Sequence, residues 1–376
     1  MSPTLIRAGF DTVEYAVYGK VPEAFLRLVA EAKQKALETR KAHPMRYKDV
    51  SILVQPNGGQ GGFTYLISTG PYGATIKFRE IGSRDPFCAH IKLSAYGLAT
   101  KGLKQLKSEC DDLFSKIKAV TNSENTRISR MDYALDFYAP HLAVDTNNFV
   151  THAKRSKTEN IERRTTGDRV NYLRIGGMPR TQLCIYDKHA QTQIKSDLVW
   201  RDIYSSCLRQ ILPETEANSW WRVEFRLGKD AIDQVVSPRL WGPALAQAAP
   251  AFRSASDKIS WRTPTDDSNR SRWPLHPIWE IARNHLHNDF EIFNPVEVSA
   301  ATRKLIAENY VAGLESQCEG LVLTIAAAYD VQAEKLSEFV RNHFLMIGKR
   351  LSERADIEDQ MAARRERQIL LRGCTT

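Results

Sequence analysis

Cysteine is sparse in this chain and never closely paired. Six cysteines occur among 376 residues (Cys88, Cys110, Cys184, Cys207, Cys318, Cys374), with no Cys-x-x-Cys unit. That excludes a zinc ribbon or a disulfide framework and fits reduced thiols of a cytoplasmic protein. Long apolar runs are missing too. The longest, Leu321 to Tyr329, falls far short of the roughly 20 residues that span a bilayer. The opening Met-Ser-Pro-Thr-Leu-Ile-Arg lacks the apolar core of a signal peptide, so no membrane association is expected. The segment Asn57 to Gly62 is glycine-rich, but no Gly-Lys-Ser/Thr follows and no helical pattern begins there. A hairpin loop is expected in place of a phosphate loop. Acidic residues are the minority charge, 44 against 53 Lys and Arg, giving a net +9 and a pI near 9.2. That balance favours a polyanionic partner, nucleic acid foremost. With 42% hydrophobic and 26% charged residues, the chain is long enough for two or three domains with a sizeable core.

The most informative stretch runs from Arg127 to Tyr138. Polar and apolar residues alternate along it, the pattern of a strand with one buried face. Met131, Tyr133, Leu135 and Phe137 point one way; Arg130, Asp132, Ala134 and Asp136 point the other. The expectation is two carboxylates on one face, about 7 Å apart. Like charges that close call for a cation between them, and a divalent metal suits carboxylate oxygens. A solvated outer face of an edge strand would show the same pattern.

Around this stretch the order is that of an α+β layer. A strand is expected over Ala8 to Tyr18 and an amphipathic helix over Pro22 to Arg40. Short strands follow at Ser51 to Val54, Phe63 to Thr69, Ala74 to Glu80 and Ala89 to Ala95. A helix over Gly102 to Val120 leads through a polar turn, Thr121 to Thr126, into the acidic strand. The fold class this implies is α+β, an antiparallel sheet with helices packed on one face and an α-helical C-terminal region.

Asp145 to Lys157 reads as a helix that turns basic. From Lys154 to Lys188 nine Lys or Arg stand against four Asp or Glu, a balance that suits a nucleic-acid backbone or a solvated surface. Tyr172 to Lys188 reads as a hairpin turning at Gly176 to Pro179. On its second strand Cys184, Tyr186 and Lys188 share a face, which would set a phenol beside a cation and could lower its pKa. A tyrosine half-buried on a sheet is the commoner outcome. In Ser219 to Leu227, Val223, Phe225 and Leu227 go to the core while Arg222, Glu224 and Arg226 face outward. If the three strands are neighbours, Asp132, Asp136 and Glu224 converge beside Tyr186 and Lys188.

Three patterns together resemble a known family: Arg130-x-Asp132-x-Ala134-x-Asp136, then the hairpin ending Tyr186-Asp187-Lys188, then Trp221-x-Val223-Glu224-x-Arg226. They are similar to motifs of the rolling-circle replication initiators of plasmids and filamentous phages and the related relaxases of conjugative elements. The resemblance is firm from about Arg127 to Lys229. It departs from many members at Cys184, where an arginine is common, and at Met178-Pro179, where a serine is.

The resemblance implies a DNA nicking and strand-transfer endonuclease. A tyrosine would attack the scissile phosphate of single-stranded or hairpin origin DNA, leaving a 5′-phosphotyrosine and a free 3′-hydroxyl. Tyr186 is the first candidate nucleophile and Tyr172, across the hairpin, the second; Lys188 would assist. Asp132, Asp136 and Glu224 would hold Mg²⁺ or Mn²⁺. Arg130, Arg174, Arg180, Arg222 and Arg226 are the candidate DNA contacts. A host helicase, a single-strand-binding protein and a second copy of the chain are partners by resemblance. Two other readings stay open: a DNA-binding replication or regulatory protein without chemistry, and a metal-dependent hydrolase without a covalent intermediate.

His285-Leu-His287 matches a His-hydrophobic-His metal motif, but it follows a helical pattern, not a central strand. The domain division expected is 1–125 and 126–240 for the two halves of the nicking core. Residues 241–295 are expected as a linker or irregular region, and 296–376 as a helical C-terminal domain, with helices over Ala300 to Gly313, Gln317 to Tyr329, Ala333 to Leu351 and Glu353 to Leu371.

Overall fold

The computed structural model describes residues 2–151, 161–167, 169–212, 219–290, 296 and 298–372. Residues 1–298 form one compact unit and residues 299–376 another.

The first unit is organised around two long strands. β1 (Thr4–Lys20) and β7 (Val120–Tyr138) pair antiparallel along most of their length, Thr4 opposite Tyr138 and Lys20 opposite Val120. Val13, Tyr15 and Val17 on β1 and Met131, Tyr133, Leu135 and Phe137 on β7 are all buried on one side. This is the period-2 pattern read from the sequence. Residues 121–126, expected as a turn, continue β7 instead, and the expected boundary at 125/126 falls inside that strand.

On one flank of β1 stand β6 (Phe87–Leu93), β5 (Ala74–Phe78), β4 (Tyr65–Ser68), β3 (Val50–Val54) and β2 (His43–Tyr47). On the far flank of β7 stand β12 (Trp220–Gly228), β11 (Thr181–Asp187), β10 (Arg169–Gly176) and β9 (Ile161–Thr166). The eleven strands make one antiparallel sheet, ordered β2-β3-β4-β5-β6-β1-β7-β12-β11-β10-β9. Gly176, at φ +83°, closes the β10–β11 hairpin, and a Cβ there would stand 2.4 Å from the Thr181 carbonyl oxygen. Any other residue would force that turn open.

Helices cover the apolar face. α1 (Glu23–Thr39) buries Phe25, Leu26, Val29, Ala32 and Ala36, a helical stripe, and ends at Arg40 in the left-handed conformation. α2 (Ala95–Thr100) is capped by the Ser94 hydroxyl, and α3 (Gly102–Lys116) buries Leu103, Leu106, Cys110, Leu113 and Phe114. α4 (Lys188–Ile194) and α5 (Leu198–Ile211) stand beyond the hairpin, and α6 (Lys229–Asp233) follows β12.

The stretch expected as a linker is part of the core. α7 (Trp241–Ala246), α8 (Ala248–Lys258) and α9 (Pro277–Asn288) lie in the first unit, and β13 (Ile259–Trp261) pairs with β8 (Phe149–Thr151). Ala244, Ala248, Ala251, Phe252, Ala255, Trp261 and Trp279 are all buried. The alanines that make this stretch look featureless are what let its helices approach the sheet closely. His285 lies on α9 as expected; its Nε2 is 3.0 Å from the Tyr133 hydroxyl, on the apolar side of the sheet. His287 lies 3.9 Å from Asp257, so the two imidazoles serve different neighbours. The helix expected from Asp145 is, in its described part, a 3-10 turn (Thr146–Asn148) followed by β8. Its basic end, with Lys154 and Lys157, lies outside the described residues.

His276 makes this region pH-sensitive. Its Nδ1 accepts the Ile278 amide hydrogen at the start of α9 (3.3 Å), and its ring stacks on Trp261 at 4.0 Å. Burial pushes its pKa down from 6.5 to about 4. Between those two values the unfolded chain binds the proton and the folded one does not. The share of stability that depends on neutral His276 is therefore full above pH 6.5 and lost as pH falls toward 4. His276→Asn, which keeps a capping acceptor, is expected to flatten the acid limb of the Tm–pH profile. An unchanged limb would show that other groups set it.

The second unit holds α10 (Ala300–Ala328), α11 (Leu336–Ser352) and α12 (Ile357–Arg372), with Gln368 on α12 donating to the Tyr310 hydroxyl on α10 at 2.8 Å. The two helices expected over 300–329 are one continuous helix. Among the described residues no helix is long and apolar enough to cross a membrane.

Candidate active site

The polar side chains of β7 and its neighbours lie on the sheet face opposite the main helices. The register lines them up. Asp136 stands opposite Arg222, Ala134 opposite Glu224 and Asp132 opposite Arg226. On β11, Tyr186 stands opposite Arg222 and Cys184 opposite Glu224; on β10, Tyr172 stands opposite Tyr186. On β1, Arg7 stands opposite Asp136 and Gly9 opposite Ala134. The three sequence motifs thus meet on adjacent strands, β7, β12 and β11.

The outward row is not solvated. Asp132, Asp136, Arg222 and Glu224 are each exposed by 1% or less. Long arginines lie across the carboxylates, and over one end Tyr204 from α5 stacks on Trp220. Buried charges survive only when paired, and here every one of these carboxylates has a guanidinium.

Two clusters result. In the first, Arg130 grips Asp132 through Nε and Nη2, the latter 2.6 Å from Oδ2. Arg226 donates to Glu224 through Nε (2.8 Å) and Nη2 (3.2 Å), and to Gln182 through Nη1 (3.1 Å). The Arg226 Nε also lies 3.8 Å from Asp132, so it bridges the two acids. The Tyr186 hydroxyl donates to Glu224 Oε2 at 3.0 Å. Burial, opposed by Arg130 and assisted by the Glu224 charge, pushes the Asp132 carboxyl up to about 7.

In the second cluster, Arg222 donates from Nε to Asp136 Oδ1 (2.6 Å), from Nη2 to Oδ2 (3.0 Å) and to the Tyr204 hydroxyl (2.7 Å), and from Nη1 to Asp11. Asp11 sits where the β1–β7 register slips between Phe10 and Thr12, a bulge that re-aims its carboxylate. Burial raises its pKa, but Arg222, Lys188 and Arg7 more than offset that and leave it below the usual carboxylate value.

Four expectations change against this geometry. Asp132 and Asp136 are four residues apart on an extended strand, about 13 Å of rise and not about 7 Å. They belong to different clusters. Among the described residues no three His, Cys, Asp or Glu side chains come together as a metal-binding group. Both oxygens of Asp136 are spent on Arg222, so the trio Asp132, Asp136 and Glu224 does not fit a divalent ion as arranged. Only Asp132 and Glu224 stay together, and Arg226 occupies the position between them. Arg222, fully buried, is a strut of the second cluster and not a DNA contact.

The phenol is also differently placed. Burial first, and then the Glu224 charge, push Tyr186 well above its ordinary pKa of 10. The Lys188 ammonium lies over the ring, 5.9 Å from its centroid, and donates to Gln191. Burial and then Arg222 push Lys188 down to about 8. Tyr172 is half-buried; its hydroxyl lies 3.8 Å from the Cys184 sulfur, and burial pushes it up to about 12. Arg174 pairs with Glu162 at 2.9 Å, and Arg180 is exposed at the hairpin turn.

Arg7, Asp11, Trp200 and Tyr204 are missed from sequence. Arg7-x-Gly9 does alternate into β1, which was a usable signal. The bulge at Asp11 breaks the period, and nothing local marks α5 as a cover for the sheet.

No family model matches the chain, and no curated protein does. Among solved structures, the chain is similar to a rolling circle replication initiator protein from Geobacillus stearothermophilus, with a TM-score of 0.42 and 13% identity. The match covers 77% of this chain and 99% of that one. A likeness this low carries no argument, and the assignment rests on the chain's own residues.

Proposed function

We propose that this chain is a rolling-circle replication initiator that nicks single-stranded origin DNA and joins it to Tyr186. The observation that carries this is the Tyr186–Glu224 hydrogen bond of 3.0 Å, set among arginines on three adjacent motif-bearing strands. A buried phenol aimed at a carboxylate has its general base in place. In the proposed step the Tyr186 oxygen bonds to phosphorus, Glu224 takes its proton and the P–O3′ bond breaks. The 3′-oxygen leaves with a proton from water, giving a 5′-phosphotyrosine and a 3′-hydroxyl. Arg226 and Arg130, side chains 23% and 24% exposed, are the cations able to turn toward the phosphate oxygens. Lys188 adds charge beneath.

Tyr172 is the alternative nucleophile, but its hydroxyl faces the Cys184 sulfur, and among the described residues no carboxylate accepts from it. Tyr172→Phe is expected to keep most of the covalent adduct formed with a labelled hairpin oligonucleotide on a denaturing gel. Loss of that adduct, with Tyr186→Phe still active, would move the nucleophile across the hairpin. Cleavage without any adduct would favour a hydrolase.

A further inference from the structure

Arg7 is unusual among the buried charges of this sheet. It is 7% exposed, and its Nε and Nη1 find no hydrogen-bond partner among the described residues. Its ionic contact is Asp136 Oδ2 at 3.5 Å, and both Asp136 oxygens already accept from Arg222. A guanidinium carries five donors, and burying them without acceptors is costly.

The surroundings fit an anion. The guanidinium of Arg7 lies over the Trp200 ring at 5.2 Å, and Arg222 and Lys188 each lie 4.8 Å from the same ring. Three cations thus gather round one indole, with Asp136 and Asp11 as the carboxylates that bond to them. Two positions along β1, Gly9 lets the guanidinium lie close over the strand; a Cβ there would stand 3.4 Å from Nη2. Opposite Gly9 is Ala134, with only a methyl side chain.

We propose that Arg7 holds a phosphodiester of the bound DNA strand, distinct from the one that Tyr186 attacks. The proposal rests on the DNA-processing role proposed above. Between β1 and β11 lie three strand spacings, about 14 Å. The two residues therefore engage different phosphates of one strand. Such a contact fixes the register of the strand over the nucleophile without reading its sequence.

The test is fluorescence anisotropy of a labelled oligonucleotide across a salt series, with wild type, Arg7→Gln and Arg7→Lys. Arg7→Gln is expected to bind about tenfold more weakly, the worth of one charge-assisted hydrogen bond. Its log K against log salt slope should fall by about 0.7, one phosphate contact to a single strand. Arg7→Lys should recover most of both. A neutral methylphosphonate walked along the oligonucleotide should weaken wild type at one flanking linkage and leave Arg7→Gln indifferent there. Wild type that binds DNA indistinguishably from Arg7→Gln overturns the Arg7 assignment alone. So does a matching fall in Tm for both variants with the slope intact, which would make Arg7 a structural strut. Protection of wild type by inorganic phosphate with no sensitive linkage would point to a free anion and also overturn it. Wild type that binds no oligonucleotide at all overturns the DNA reading itself.

Discussion

Tyr186→Phe is expected to abolish the covalent protein–DNA adduct, by a factor on the order of 10⁴ to 10⁶, the loss seen when a covalent enzyme loses its nucleophile. The variant should fold. The ring keeps its packing, and the missing hydroxyl removes a single hydrogen bond to Glu224, about 1 kcal/mol. Glu224 then keeps Arg226 as its partner through two hydrogen bonds, so no buried charge is stranded. The measurement is the yield of labelled DNA bonded to protein after denaturation, with binding of the same oligonucleotide unchanged. Adduct at the wild-type yield would remove Tyr186 from the chemistry. A protein that still cleaves but never bonds would show that the phenol orients a water and is not itself the attacking group.

Asp136→Asn is expected to act on stability before it acts on chemistry. The carboxylate holds Arg222 through two hydrogen bonds and faces Arg7, and neither the acid nor Arg222 has measurable exposure. Removing one member of such a buried pair typically costs about 3–5 kcal/mol; here Arg222 keeps Asp11 as a partner while Arg7 loses its ionic contact. Against a total of about 5–15 kcal/mol for a folded chain, that cost is about a fifth at the least. The expected outcome is a large fall in the urea midpoint at unchanged m-value. A stable Asp136→Asn protein that loses Mg²⁺ binding would return Asp136 to the metal-ligand role expected from sequence.

The strands that carry this site were readable because their apolar faces keep a strict period of two. Met131 to Phe137 and Val223 to Leu227 show which residues share a face, and the opposite face brings Glu224 beside Asp132 but not beside Asp136. What sequence concealed is pairing at long range. Asp11 comes from the first strand and meets Arg222 more than two hundred residues later, and Arg7 reaches Asp136, so from sequence the acids resemble a solvated or metal-bearing set. Asp132 and Asp136 are two steps apart on one face, through Ala134, so the rise between them is about 13 Å. In residues 241–288 the small buried alanines resemble a loop in composition but pack as part of the core. Burial also reversed the expected effect on Tyr186. A cation two positions along the chain is a weak influence beside the loss of solvent around the phenol.

The central pairing of β1 with β7 has a practical corollary for anyone dissecting the gene. A fragment begun near residue 126 would start part-way along β7, lack Arg7 and Asp11, and bare the hydrogen-bonding edge that β1 normally covers. Unprotected edges of that length recruit other chains. Such a piece should precipitate during purification, and adding back residues 1–125 as a separate polypeptide is the route by which solubility could return.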